Sequence, residues 1–366
     1  MSIFTILIII FGFSFLIIAH ELGHFLAAKW SGMKVEEFGI GFPPNIFSWK
    51  PKKSETAYSI NWIPFGGFVR IKGEDEILDS GQKPDSDSFK AKPIWKRMFV
   101  TVAGVVMNIF VAVIILSFVA ALGIPSGIDD SNENAINPQV QIVSVGEGTP
   151  AESAGLQAGD IIEKINFGGD AKNVSKVQEI IDIANNFKEK EIIFTINREG
   201  SQQEIALTPR ADHPEEEGPI GIGLARIGLV RVAWYKAPVE SVKLVWDIAK
   251  TMLSFLGDML ARIFTKGQVP QDIVGPVGIV ALSGKIVKMG WVYVGWLFAL
   301  ISINLFLINL LPIPALDGGR LLFLAIEKVK GSPISEKLEQ KLHFYGFVFL
   351  IALMILITIR DVSRLF

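Results

Sequence analysis

Residues 14–28 read Ser14-Phe-Leu-Ile-Ile-Ala-His20-Glu21-Leu22-Gly23-His24-Phe-Leu-Ala-Ala28, three ionisable side chains set in a run of hydrocarbon. Over residues 2–28 there is no other ionisable group, and about 20 apolar helical residues suffice to cross a ~30 Å hydrocarbon core. Placing such groups on a membrane helix costs several kcal/mol, so they persist only when paired, liganded or facing water. On a helix, positions i and i+4 share a face, ~5–6 Å apart, which lets both imidazoles reach one Zn²⁺ while the intervening glutamate stands beside the metal's water. Histidines merely satisfied among helices would leave Glu21 without an explanation.

Working outward, residues 98–124, 290–311 and 344–359 also have the length and apolarity of spans. Half of the 366 residues are hydrophobic before the 34 glycines are added, and mean hydropathy is +0.43. That exceeds a soluble domain's usual ~45–50% and excludes a disordered chain. With 35 basic and 37 acidic residues the net charge is −2, so no charge excess points to nucleic acid. The absence of cysteine excludes disulfides, thiolate metal sites and cysteine nucleophiles. The first apolar run lacks a basic leader and a small-residue cleavage site, which reads as a retained helix. Twelve Lys or Arg lie between positions 29 and 97 and five between 320 and 341. The positive-inside rule therefore predicts that both loops are cytoplasmic, with both termini and residues 125–289 on the far side.

Within that far-side region, residues 139–145 alternate as a strand, followed by Gly148-Thr-Pro-Ala-Glu-Ser-Ala-Gly-Leu-Gln-Ala-Gly-Asp160 and a strand at 161–166. A helix is predicted over 174–185 and strands over 191–197 and 203–207, joined by the turn Arg198-Glu199-Gly200. This pattern resembles a PDZ domain, an α+β module over residues 125–231. Pro219-Ile-Gly-Ile-Gly-Leu224 fits either a PDZ carboxylate loop or a closing strand. Beyond it, Glu240, Lys243, Asp247 and Lys250 face away from Val242, Val245, Trp246 and Leu253. That is an amphipathic helix, lying on the outer membrane surface, bracing the PDZ domain, or simply a surface helix.

Two histidines do not complete a catalytic zinc site, which usually takes three protein ligands. Asp317 is the candidate third, in Asn309-Leu-Leu-Pro-Ile-Pro-Ala-Leu-Asp317-Gly-Gly319, where two prolines break the helix. Irregular backbone at membrane depth lines a cavity or is buried in protein. His213, in an acidic outer loop, and His343, near the start of the fourth span, are the competing ligands, with a structural or solvated role the better account of both.

Taken together, the HELGH in the first span, the PDZ insert and NLLPIPALDGG in the third resemble the bacterial site-2 protease family, in a single-PDZ form, over essentially the whole chain. The resemblance implies a four-span α-helical membrane protein of the bacterial inner (plasma) membrane with one Zn²⁺ per chain. By it His20, His24 and Asp317 are the metal ligands and Glu21 the catalytic acid/base. Asn309 would engage the substrate backbone, and Pro312 and Pro314 would shape the loop. It further implies that residues 56–71 form a membrane-reentrant β region, preceded by a glycine loop at Phe38-Gly-Ile-Gly-Phe-Pro-Pro44. Asn108 falls near the site, with helix packing the better account of it. The chain then divides into a first span at 1–30, a cytoplasmic-side loop and β region at 31–96, and a second span at 97–124. The PDZ domain at 125–231 and the amphipathic helix and linker at 232–289 follow. Last come a third span with the LDGG loop at 290–327, a loop at 328–343 and a fourth span with the C-terminus at 344–366. The implied partners are the lipid bilayer and transmembrane protein substrates already trimmed by another protease. Two other classes fit less: a catalytically silent membrane PDZ adaptor, which would not need Glu21 and Asp317, and a zinc transporter, which would need polar positions that the second and fourth spans lack.

Overall fold

A backbone in hydrocarbon must satisfy its own N–H and C=O groups, so long apolar runs fold as helices. The computed structural model describes residues 3–52, 54–74, 84–133, 135–198, 200–214, 217–267 and 275–365. In chain order its elements are α1 (Ile3–Trp30), β1 (Val35–Trp49), β2 (Ala57–Ile71), α2 (Ile94–Leu122), β3 (Ile124–Gly127), β4 (Ile136–Val145), α3 (Pro150–Ser153), β5 (Ile161–Phe167) and β6 (Asp170–Asn173). They continue with α4 (Val177–Asn186), β7 (Ile192–Arg198), β8 (Ser201–Leu207), β9 (Ile222–Val230), α5 (Ala237–Lys266), α6 (Pro276–Met289), α7 (Trp291–Leu310), α8 (Asp317–Lys330) and α9 (Glu336–Leu365). Among the described residues α1, α2, α7 and, over Glu336–Ser363, α9 are long and apolar enough to cross a membrane. Two compact units result, Met1–Phe118 with Lys236–Phe366, and Val119–Tyr235.

In the first unit β1 and β2 pair antiparallel as a two-stranded sheet. The glycine loop expected at 38–44 is absorbed into β1, where the register shifts repeatedly between Ile40 and Asn45. Ile46, Phe47, Trp49, Trp62 and Phe65 stay exposed on this sheet, the composition of a surface that meets lipid or an apolar chain rather than water. β2 runs beside α1 in the same direction. Ser14 Oγ donates to the Pro64 carbonyl at 2.8 Å and accepts from Gly66 N–H at 3.3 Å, and Val69 N–H donates to Glu21 Oε2 at 3.1 Å.

The amphipathic helix α5 buries Val245 and Ala249 against Ala112 and Leu116 of α2 and Ala299 and Ile303 of α7. Its apolar stripe thus lies on two span-length helices. Residues 276–289, expected as linker, form α6. Fourteen residues are too few for a span and its Gly-Pro start reads as punctuation, which is why the pattern concealed it. Asp361 of α9 caps it, accepting from Gly275 N–H at 3.0 Å and Gly278 N–H at 2.8 Å. α7 stops at Leu310, and Asp317, expected within a loop, is the first residue of α8. α9 begins at Glu336, so His343 belongs to that helix rather than to the loop before it.

The second unit is a seven-stranded sheet in the order β3-β9-β4-β5-β7-β8, with β6 beside β5. β7 alternates buried and half-buried residues with period two. Its Ile192, Phe194 and Ile196 join Val140, Ile142, Ile162, Ile165 and Ile180 in one core. The strands and helix expected between 139 and 207 form; Glu199, in the expected turn, lies outside the described residues. Residues 222–230 form the closing strand β9, antiparallel to β4.

Candidate metal centre

His20 and His24 lie one helical turn apart on α1 and are buried. Their Nε2 atoms are 3.1 Å apart. Asp317 Oδ2, at the first residue of α8, is 3.0 Å from His20 Nε2 and 3.4 Å from His24 Nε2. Zinc–ligand bonds of about 2.0–2.1 Å in a tetrahedron set neighbouring ligands about 3.3–3.4 Å apart. The observed triangle has that size. Its chemistry fits a cation as well, since two imidazole nitrogens in contact cannot both point protons at each other and Asp317 Oδ2 is buried with no hydrogen-bond donor. Among the described residues this is the single cluster of three or more metal-ligating side chains.

Each ligand is set by the turn beneath it. His24 Nδ1 meets the Val100 carbonyl of α2 at 2.9 Å. A carbonyl can only accept, so the ring carries its proton on Nδ1 and presents a lone pair at Nε2, the tautomer a metal requires. α2 comes this close only because residue 104 is glycine, where a Cβ would run into the His24 ring. One turn on, the Asn108 amide lies 3.2 Å from His20 Nδ1. Asp317 follows a loop with Ala315 at φ 80°, whose N–H donates to His343 Nδ1 at 2.9 Å. At Gly318 a Cβ would collide with the Leu310 and Leu311 carbonyls, so the Gly-Gly pair lets α8 begin directly beneath the end of α7.

Glu21, on the same helix as the two histidines, is half-buried, one oxygen held by Val69 N–H of β2. The competing ligands fall elsewhere. His213, half-buried, has Nδ1 against the Pro214 carbonyl in the second unit, and His343 supports the loop backbone. Asn309 is half-buried on the last turn of α7, Pro312 is exposed and Pro314 half-buried. Sequence reasoning missed His343 as a loop support and Val69 as the tether of Glu21. An amide donor carries no sequence signal, whereas a histidine near a span end does.

The family model for Peptidase family M50 matches residues 8–353. The chain is 31% identical to the regulator of sigma-W protease RasP of Bacillus subtilis, and 30% identical to the zinc metalloprotease RasP of Bacillus licheniformis. Each alignment takes in 99% of both chains. Among solved structures the PDZ domain of the SdrC-like protein of Listeria innocua is similar at 29% identity, over 24% of this chain and 92% of that one, with a TM-score of 0.20. The chain belongs to peptidase family M50. It is a zinc metalloprotease of the site-2 type, built as an integral membrane protein, with Zn²⁺ as its cofactor.

Proposed function

We propose that this protease hydrolyses peptide bonds within the transmembrane segments of single-span membrane proteins, with His20, His24 and Asp317 holding zinc and Glu21 moving the protons. The observation that carries it is the triangle of ligand atoms at 3.0, 3.1 and 3.4 Å with a carboxylate tethered beside it on the same helix. Zinc held there supplies Lewis acidity, polarising the scissile carbonyl and lowering the pKa of the attacking water from about 15.7 towards about 7. Glu21 keeps Oε2 on Val69 N–H and uses its other oxygen as base. It takes the water proton as the new C–O bond forms and returns it to the leaving nitrogen as the C–N bond breaks. An intact helix hides its amides, so the client must be unwound before attack. The β1–β2 sheet offers strand edges on which an extended segment can pair, and Asn309, with the loop shaped by Pro312 and Pro314, engages its backbone.

The charge pattern favours a cytoplasmic location for the loops between the first two and the last two spans. The second unit and both termini then lie outside the cytoplasm, and the metal sits within the membrane on its cytoplasmic side. The second unit works as a PDZ domain that admits clients already shortened by another protease, of the anti-sigma-factor or remnant-signal-peptide kind.

The test is cleavage of a tagged single-span substrate in detergent by the wild type and by Glu21→Gln. The variant is expected to lose at least ~100-fold in rate while keeping its zinc. Equal cleavage by both proteins overturns the role of Glu21, and cleavage by neither favours a silent adaptor.

A further inference from the structure

His24 and His20 are neighbours on one helix, yet their second ring nitrogens meet different partners. His24 Nδ1 faces a carbonyl, which leaves no choice of tautomer. His20 Nδ1 faces the side-chain amide of Asn108, which can either donate or accept. Asn108 is 1% exposed on α2, and its backbone carbonyl accepts from Ser302 Oγ of α7 at 2.8 Å, so two helices fix its position.

The two ends of that amide have opposite consequences. With Nδ2 towards the ring, Nδ1 must accept, and the imidazole proton moves to Nε2. There it points between His24 Nε2 at 3.1 Å and Asp317 Oδ2 at 3.0 Å, where a metal ligand needs a lone pair. With Oδ1 towards the ring, Nδ1–H donates to the amide oxygen and Nε2 is free to ligate. Heavy-atom positions do not distinguish the two orientations, which follow from the network. As placed, Nδ2 is the atom 3.2 Å from His20 Nδ1 and the buried Oδ1 has no hydrogen-bond partner, so turning the amide breaks no bond to that oxygen and gives it one.

We infer that Asn108 is a positioning residue whose amide oxygen accepts the Nδ1 proton of His20 and so holds that imidazole in its zinc-ligating tautomer. The inference rests on His20 being a zinc ligand. It assigns Asn108 the part that the Val100 carbonyl plays for His24, and it accounts for a buried amide in an otherwise hydrocarbon helix. Partners of ligating histidines of this kind alter metal affinity by about 10–100-fold when removed.

Asn108→Asp keeps an acceptor and removes the donor, whereas Asn108→Leu removes both at similar size. Zinc affinity, measured in detergent by competition with a chelator, is expected to fall about 10–100-fold for Asn108→Leu and to stay within a fewfold of wild type for Asn108→Asp. Equal losses in the two variants, or none in Asn108→Leu, overturn the inference. His20→Ala separates it from the reading beneath it. If His20→Ala keeps wild-type zinc affinity, His20 is no ligand; if it loses zinc while Asn108→Leu does not, only the role of Asn108 fails.

Discussion

Two aspartates, Asp160 buried and Asp317 half-buried, show how differently the two units treat charge. Asp160, 1% exposed in the second unit, receives Arg198 Nε and Nη2, each at 2.7 Å, and the Gln157 N–H at 2.9 Å. Both oxygens have donors, two of them from a guanidinium, so the charge is neutralised where it sits. Asp317 Oδ2 instead meets two imidazole nitrogens and no backbone, Arg or Lys donor. A buried charge whose neighbours are donors is part of the scaffold. One that meets the ring nitrogens of two histidines has a place left for a cation.

The largest effect follows from breaking the second arrangement. Asp317→Asn keeps the shape and removes the charge, and is expected to lower zinc affinity by more than the ~100-fold that marks the loss of an outer-shell partner. Peptide cleavage should fall with it, and chelation of the wild type should abolish cleavage until zinc is returned. Metal content after dialysis checks this; full zinc occupancy in Asp317→Asn would remove Asp317 from the ligand set. Asp160→Ala sharpens the contrast from the other side. It removes the acceptor for Arg198 and the Gln157 N–H, while Arg198 keeps the Gly155 carbonyl, and should destabilise the second unit by about 2 kcal/mol, read from denaturant unfolding of the whole chain, with zinc stoichiometry unchanged.

The sequence made legible those features that depend on local pattern. His20, Glu21 and His24 need only a helix to share a face, and the strands around Phe194 announce themselves by alternation. Asp317 is marked by its prolines and by resemblance alone, since nearly three hundred residues separate it from His24 and no local rule spans that distance. What stayed hidden is tertiary. Nothing in residues 276–289 says that Asp361 will cap them, and the loop at 38–44 shows no sign that it will be drawn into a strand. Gly104 looks like any small residue in a span until the His24 ring is placed against it.

His343 is an intermediate case, and it gives a smaller effect. The sequence offers it as a rival ligand or a structural residue, and it acts one step back, accepting the Ala315 N–H two residues before Asp317. His343→Phe keeps the bulk against Phe323, with which the ring makes an edge contact at 5.4 Å, and removes the acceptor. The expected cost is about 1 kcal/mol of loop stability, seen as faster hydrogen exchange at Ala315 and Leu316 and a severalfold lower zinc affinity. A loss as large as that of Asp317→Asn would make His343 a ligand after all.

The smallest effect tests whether the second unit responds to pH independently of the metal centre. Glu179 lies in the first turn of α4, where burial pushes its carboxyl up. The Ser175 N–H at 2.9 Å, the Lys172 ammonium at 3.0 Å and the Lys176 N–H at 3.1 Å outweigh that and hold it below its ordinary value of 4.5. Asp130 caps the same turn, accepting from Val177 N–H at 3.0 Å and Gln178 N–H at 2.8 Å. Because folding depresses the carboxyl, its contribution is complete above the unfolded value and fades as pH falls through the lower folded one. The group is close to solvent, so about 0.5 kcal/mol is expected. Amide exchange in α4, corrected for the intrinsic rate, should lose protection below about pH 4.5 in the wild type, and Glu179→Gln should flatten that dependence. If the variant kept the full acid sensitivity, Glu179 would not be the group that titrates.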